Sequence, residues 1–376
     1  MIKLGSIFAI LLFFSNSSWG VQESKVLSTF SPLVNSGYAQ AENGCSKPRR
    51  KLQNLDYRLC YFNTFTGVQS PLRIRYTKYF NPKTPKKGEK GTIVVAPGRT
   101  ESSLKYIEVA HDFLQRGYSP VYVIDHRSQG FSDRTLSDTH KVHTRRFNYY
   151  VKDFNDFVNT IIARDKNEIN LDRMFAISNS MGGGVTSIYF AEYNHPFMAS
   201  SLFAAMHKIV YPEPFNEFLA ALSGSFICIN DNINIAGLSC TGYAPGRGEK
   251  FDESDRVFED NGLTRSWQRY ELRNVLWRRY EYLQTGGITV SWAAQAALAG
   301  KKMRSFNNTS KIKIPLQVYT GGQDPISDPE GHRIFCRRAL DCTQLTYVNS
   351  RHEILMETDH IRNDAFDRMT NFFESL

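Results

Sequence analysis

The stretch AISNSMGGG, Ala176 to Gly184, decides how the chain is read. An apolar run ends at Ser178, Ser180 follows Asn179, and Met181 leads into three glycines. A strand, a sharp turn and a glycine-led helix form the setting in which a serine hydroxyl is presented as a nucleophile. The tight turn strains the backbone and admits only small flanking residues. The pattern is nearly Gly-x-Ser-x-Gly, with Ser178 in the first glycine's place, and serine is small enough to serve there. A helix opening at Met181 brings that residue's N–H, and the positive end of the helix dipole, beside a reacting carbonyl. The competing reading is a Ser/Gly turn with no chemistry.

Outward from Ser180 the same rhythm repeats. Short apolar runs at Thr92–Gly98, Pro120–Asp125, Arg173–Ser178, Ala199–Ala205, Pro315–Thr320 and Gln344–Val348 alternate with helical spacing at Leu104–Leu114, Phe147–Ile162, Gly183–Tyr193, Ile334–Leu340 and Ile354–Phe373. Two more strand-like runs, Leu59–Phe65 and Leu72–Phe80, come first. This order predicts an α/β fold: a mostly parallel eight-stranded sheet with helices on both faces. The rhythm stops between about Tyr211 and Lys301, where Asn, Arg, Trp and Tyr are frequent. An insertion late in a parallel sheet belongs over the carboxyl edge of the strands, where such folds keep their sites. The expected division is an export signal at 1–20, a polar and irregular N-terminal extension at 21–55, core segments at 56–210 and 302–376, and an inserted cap at 211–301.

The composition agrees with a packed enzyme-sized core: 376 residues, 41% apolar, with 26 Phe and 19 Tyr, exclude wholesale disorder. Lys3, the apolar run Leu4–Phe14 and the small-x-small Ser18-Trp19-Gly20 read as a cleavable export signal, with an uncleaved anchor as the alternative. The run is shorter than the roughly 20 residues of a membrane span. The protein is therefore expected in the periplasm or outside the cell, with membrane association open. Six cysteines fit an oxidising compartment. Sequence proximity couples Cys45 with Cys60, Cys228 with Cys240 and Cys336 with Cys342, against the alternative of buried free thiols; the spacings suit no zinc site. The net charge of +9 includes clusters at Lys47, Arg49, Arg50 and Lys51 and at Lys83, Lys86, Lys87 and Lys90. These suit peripheral contact with an anionic membrane surface, or are solvated loop residues. No nucleic-acid motif accompanies the charge.

A serine nucleophile needs a base, and the base an orienting acid. Among nine histidines, His352 in VNSRHEILME follows the last strand directly. His332 and His360 fall in predicted helices and read as surface residues, and the other six precede the place where this topology delivers a base. Asp324 in VYTGGQDPIS follows the preceding strand, whereas Asp328 and Glu330 read as capping charges of the next helix. Ser180, Asp324 and His352 thus lie at strand ends in a hydrolase order. The second oxyanion donor is expected after the strand ending at Ala96, from the backbone N–H of Arg99. DHRSQGFSDR, Asp125 to Arg134, lacks a phosphate-loop pattern and reads as a structural turn.

GRTESSLKYIEVAHDF, DHRSQGFSDR, SNSMGGG, TGGQDPIS and SRHEILME, with NGLTRSWQRY and GGITVSWAAQA in the cap, together resemble the lysophospholipase and monoacylglycerol lipase branch of the α/β-hydrolases, above all its bacterial lysophospholipase L2 type. The resemblance spans about residues 57–376. It implies hydrolysis of one acyl ester in a lysophospholipid or monoacylglycerol, with neither metal nor organic cofactor. It carries the nucleophile to Ser180, the acid to Asp324, the base to His352 and the oxyanion donors to Arg99 and Met181. Three departures stand out: Pro97 where relatives commonly have His, Ser128 for a usual glycine, and the export signal with six cysteines. In the cap, Tyr270 and Trp277 are candidates to line an acyl channel and Arg269 and Arg273 to meet a phosphate head group; core packing and a solvated helix face are the alternatives. Rival functions are acyl transfer to a lipid alcohol by the same triad, peptide or small-ester hydrolysis, and non-catalytic lipid binding on a hydrolase scaffold.

Overall fold

The computed structural model describes residues 20–35, 45, 49–52, 55–64, 71–81, 83, 88–211, 213–214, 216–229, 234–235, 238–246, 250–252 and 257–376. The expected export signal, apart from Gly20, lies outside them. The strands are β1 (Arg49–Leu52), β2 (Leu55–Thr64), β3 (Leu72–Phe80), β4 (Thr92–Ala96), β5 (Val121–Ile124), β6 (Met174–Asn179), β7 (Phe197–Phe203), β8 (Asn234–Ile235), β9 (Leu238–Ser239), β10 (Leu316–Gly321) and β11 (Cys342–Tyr347). The helices are α1 (Val26–Asn35), α2 (Ile107–Gln115), α3 (Asn148–Asp156), α4 (Met181–Glu192), α5 (Glu217–Ile227), α6 (Trp267–Arg279), α7 (Val290–Met303), α8 (Phe306–Thr309), α9 (Pro329–Arg338) and α10 (Asp359–Glu374).

One sheet runs β1-β2-β3-β5-β4-β6-β7-β10-β11. From β5 to β11 every pairing is parallel, whereas β1, β2 and β3 join antiparallel. The eight expected strands are all present, and the short β1 adds a ninth at the edge. β4, β5 and β6 are buried throughout, as continuous apolar runs covered on both faces must be. Their side chains alternate between two cores. Ile93, Val95, Phe175 and Ile177 pack with α1, α2 and α10, while Val94, Ala96, Met174 and Ala176 pack with α3, α4 and α7. Edge strand β11 is half-exposed instead.

The N-terminal extension is not irregular, as expected from its polarity: α1 buries Val26, Phe30 and Leu33, spaced four and three apart on one face. Between β7 and β10 the chain visits both sides of the sheet. α6 places Leu272, Leu276 and Trp277 in the core with α2 and α10, whereas α7 places Trp292, Ala296 and Met303 in the core with α3 and α4. α5 lies on α7 so closely that a Cβ on Gly224 would sit 2.4 Å from that of Ala294. Disulfides join Cys45–Cys60, Cys228–Cys240 and Cys336–Cys342, the pairing expected from proximity and one compatible with export. No helix among the described residues is long and apolar enough to cross a membrane.

Candidate active site

Ser180 stands between the last residue of β6 and the first of α4 with φ 49° and ψ −115°, a strained conformation for a residue with a side chain. The end of β7 and the loop after it hold it there: Ser180 N–H donates to the Phe203 carbonyl at 2.9 Å, and the Ser180 carbonyl accepts from Met206 N–H at 2.8 Å. Gly182 is obligatory, because a Cβ there would lie 2.0 Å from the Ala96 carbonyl oxygen. Ser178 replaces the first glycine without cost to packing; its buried hydroxyl pairs with that of Thr186 at 2.9 Å. Met181 is the first residue of α4, so its N–H is among those with no acceptor inside the helix.

Asp324 follows β10 and His352 follows β11. His352 Nδ1–H donates to Asp324 Oδ2 at 2.7 Å, both side chains being almost fully buried. The other carboxylate oxygen of Asp324 accepts from Ile326 N–H at 2.8 Å and Ser327 N–H at 3.0 Å. Burial opposes the charge on Asp324, yet the adjacent His352 imidazole and these N–H groups hold its carboxyl below the usual range. Burial likewise opposes the imidazolium of His352, but the Asp324 carboxylate, followed by those of Glu353 and Glu101, holds its pKa above the ordinary value. The arrangement can keep one imidazole tautomer in place and stabilise the charge it gains on taking a proton.

The loop after β4 passes beside the nucleophile: a Cβ on Gly98 would lie 3.2 Å from that of Ser180. Gly98 N–H donates to the buried Glu101 carboxylate, and the Gly98 carbonyl accepts from Gln129 Nε2 at 2.7 Å. Gln129 belongs to the Asp125–Arg134 turn, which is structural as expected. There the buried Asp125 carboxylate accepts N–H donors from Ser103 and Phe131, and burial pushes its pKa up to about 6. Ser128, in the usual glycine's place, carries φ 61°, and its hydroxyl bonds that of Thr135 at 2.6 Å.

Arg99, Ser180 and Met181 line one cavity together with Met206, Ile209, Ala220, Ile227, Trp292 and Ile326. α5 and α7 thus both contribute apolar wall. The four α6 residues expected at the substrate are not among those lining it. Arg269 is fully buried against Glu108 at 2.8 Å and Asp359 at 2.7 Å. Arg273 lies over the rings of Tyr270 and Trp277, whose centroids are 4.2 and 4.4 Å from its guanidinium carbon. Trp277 belongs with the core on the α2 and α10 face of the sheet, and Arg269 pairs with those same two helices, whereas α7 packs in the other core. His332 is not a surface residue either. Its ring pins α9 to the loop after β7, with Nδ1 3.0 Å from Thr320 Oγ1 and Nε2 donating to the Ala205 carbonyl at 2.7 Å. His360 is exposed, and Asp328 caps α9 by accepting Glu330 N–H at 2.9 Å.

Sequence reasoning passed over Trp292 as a cavity wall and the buried set Glu101, Lys105 and Glu353. Lys105 Nζ donates to both carboxylates at 2.6 Å. The Glu101–Lys105 spacing of four, just where the helical segment opens, was the one local sign of it.

The mostly parallel sheet with a strained serine elbow after β6 is the α/β-hydrolase fold, and the relatives below make this member of it an ester hydrolase. Within it the chain belongs to the family whose model is described as serine aminopeptidase, S33, which matches residues 87–359. It falls in the lysophospholipase and monoacylglycerol lipase branch of the class. Lysophospholipase L2 of Escherichia coli is 28% identical over 318 residues, covering 82% of this chain and 86% of its own. Monoacylglycerol lipase of Mycolicibacterium smegmatis is 34% identical over 303 residues, covering 79% of this chain and 91% of its own. A crystal structure of a soluble variant of monoglyceride lipase from Saccharomyces cerevisiae shares the fold, with a TM-score of 0.61 at 17% identity over 90% of this chain and 99% of that one.

Proposed function

We propose that the chain hydrolyses the acyl ester of a lysophospholipid or monoacylglycerol through Ser180, His352 and Asp324 and an acyl-enzyme. The observation that carries this reading is the strained Ser180 at the wall of an apolar cavity, with a buried His352–Asp324 pair on neighbouring strand ends. His352 takes the Ser180 proton as Oγ attacks the ester carbonyl, and Asp324 stabilises the imidazolium. The N–H groups of Arg99 and Met181 receive the oxyanion. The carbon–oxygen bond to the glycerol moiety breaks, and His352 returns the proton to the leaving alcohol. Water, deprotonated by His352, then releases the fatty acid and restores Ser180. The apolar wall suits an acyl chain, and the relatives named for lysophospholipids and monoacylglycerols supply the substrate class.

The proposal includes the division into core segments 56–210 and 302–376 with 211–301 as an insertion that caps the cavity through α5 and α7 but not α6, and residence in the periplasm or outside the cell. It also includes contact with a lipid surface, through α5. Phe218, Leu222 and Phe226 are 62%, 56% and 58% exposed, and Ile229 just beyond is 74% exposed. The same helix lines the cavity with Ala220 and Ile227, so a lipid resting on its outer face has a continuous apolar path inward. Of the basic clusters expected to serve this contact, Lys47, Lys86 and Lys87 lie outside the described residues, and Lys90 pairs with Glu374 at 2.6 Å.

The test is fatty-acid release from a lysophospholipid and from a monoacylglycerol by the mature protein and by Ser180→Ala. Loss of at least about a thousandfold in the variant is expected. Equal rates would sink the elbow reading, and an inert wild-type protein that also fails to react with a fluorophosphonate probe would sink the hydrolase reading altogether.

A further inference from the structure

Three carbonyl-side loops meet at one buried charge cluster that the triad does not use. Lys105 Nζ lies 2.6 Å from Glu101 and 2.6 Å from Glu353, and all three side chains are at most 8% exposed. Glu101 also accepts from Gly98 N–H in the loop after β4, from Tyr106 OH at 2.7 Å and from the Asn179 amide at 3.4 Å. Asn179 immediately precedes Ser180, and Glu353 immediately follows His352. Two buried carboxylates on a single ammonium leave a surplus negative charge, an arrangement that costs free energy unless something nearby uses it.

We propose that Glu101, Lys105 and Glu353 form a positioning bridge that pins the oxyanion loop against the base loop and uses its surplus charge to hold the imidazolium of His352; this rests on the hydrolase reading above. Pinning follows from the bonds. With its N–H and carbonyl fixed by Glu101 and Gln129, Gly98 leaves the next N–H, that of Arg99, in a set position beside Ser180. Preorganised donors of this kind act without reorganising during the reaction. The charge argument follows from placement. His352 is faced by Asp324 from the loop after β10, by Glu353 on its own loop, by Glu101 from the loop after β4, and by His332 from α9. Burial disfavours charge on Glu101, but Lys105, Tyr106 and the Gly98 N–H hold its carboxyl below the usual range, so it stays ionised.

The test is the pH dependence of kcat/KM for ester hydrolysis between about pH 5 and about 9. In the wild-type protein activity rises with pH as His352 loses its proton, with the midpoint above the ordinary 6.5. Glu353→Gln removes one negative charge and moves that midpoint down by about half a unit. Lys105→Met takes away the cation that keeps Glu101 ionised, so the buried carboxylate pair takes up a proton and kcat falls without a rise in the midpoint. Glu101→Gln frees the Gly98 loop, so kcat falls about tenfold with KM little changed. A midpoint that stays in place in Glu353→Gln, whatever its activity, overturns the proposal. If Lys105→Met does not fold, the near-isosteric Glu353→Gln decides alone. A wild-type protein without Ser180-dependent turnover overturns the hydrolase reading and the bridge with it, an outcome distinct from an active Glu353→Gln variant with an unmoved midpoint.

Discussion

α5 and α6 are consecutive helices of the segment between β7 and β10, yet they dispose of their side chains in opposite ways. α5 turns Phe218, Leu219, Leu222 and Phe226 outward, each 41% exposed or more. α6 turns Arg269 inward until its guanidinium is wholly buried. Hydropathy alone assigns them the reverse positions. The difference comes from partners. α6 packs on α1, α2 and α10, where Glu108, Asp112 and Asp359 await cations, with Arg362 already set 2.6 Å from Asp112. α5 rests on α7 at the cavity, and its outer apolar side chains are exposed. Residue type thus says little about a helix's role until the charges on its neighbours are known.

The strongest challenge to this contrast is Arg269→Met. Removing one partner from a buried ionic cluster leaves Glu108 and Asp359 undercompensated, and a loss of about 3 kcal/mol is expected. Urea unfolding measures it, and the fraction that remains folded keeps its KM for lysophospholipid. A stable variant with a raised KM would return Arg269 to the head group and erase the difference between the two helices.

This residue also marks where sequence stops being informative. Its partners Glu108 and Asp359 lie 161 and 90 residues away, so no window along the chain contains the cluster. The same holds for Lys105 and Glu353, 248 residues apart. The candidate triad was legible for the opposite reason. Ser180 directly follows β6, Asp324 and His352 lie within five residues of the ends of β10 and β11, and a parallel sheet gathers strand ends on one edge by topology alone. β3 was legible to the residue, since its run of branched and aromatic side chains is bounded by turn formers. α1 was missed because its apolar side chains, Val26, Phe30 and Leu33, are sparse within a polar stretch. His332 was misplaced because α9 buries one face, and periodicity does not say which polar residue of a helix finds Thr320 and the Ala205 carbonyl.

A middle-sized effect is expected on the α5 side. Replacing Leu222 and Phe226 together by serine removes two half-exposed apolar side chains, and sedimentation with anionic vesicles containing lysophospholipid should show binding reduced about tenfold. Thermal stability should hold, because neither side chain is buried in the free protein. Unchanged partitioning would show that lipid does not rest on this face. A falling melting temperature would show that the face packs against the protein itself, which makes α5 and α6 alike after all.

The smallest effect separates buried from exposed arginines within α6. Arg278 pairs with Glu271 on the outer face, and its side chain is 45% exposed. Solvent screens such a pair, so Arg278→Ser should change stability by no more than about 0.5 kcal/mol. Its effect on lysophospholipid turnover should be nil, since α6 contributes no residue to the described cavity wall. The comparison with Arg269→Met is then internal to one helix: the same residue type, nine positions apart in sequence, is decisive where protein replaces water and dispensable where water remains. A raised KM for lysophospholipid in Arg278→Ser, with monoacylglycerol turnover intact, would place the phosphate on the outer face of α6. The cavity beside Ser180 would then hold the acyl chain alone, with its head group reaching around the edge of the sheet.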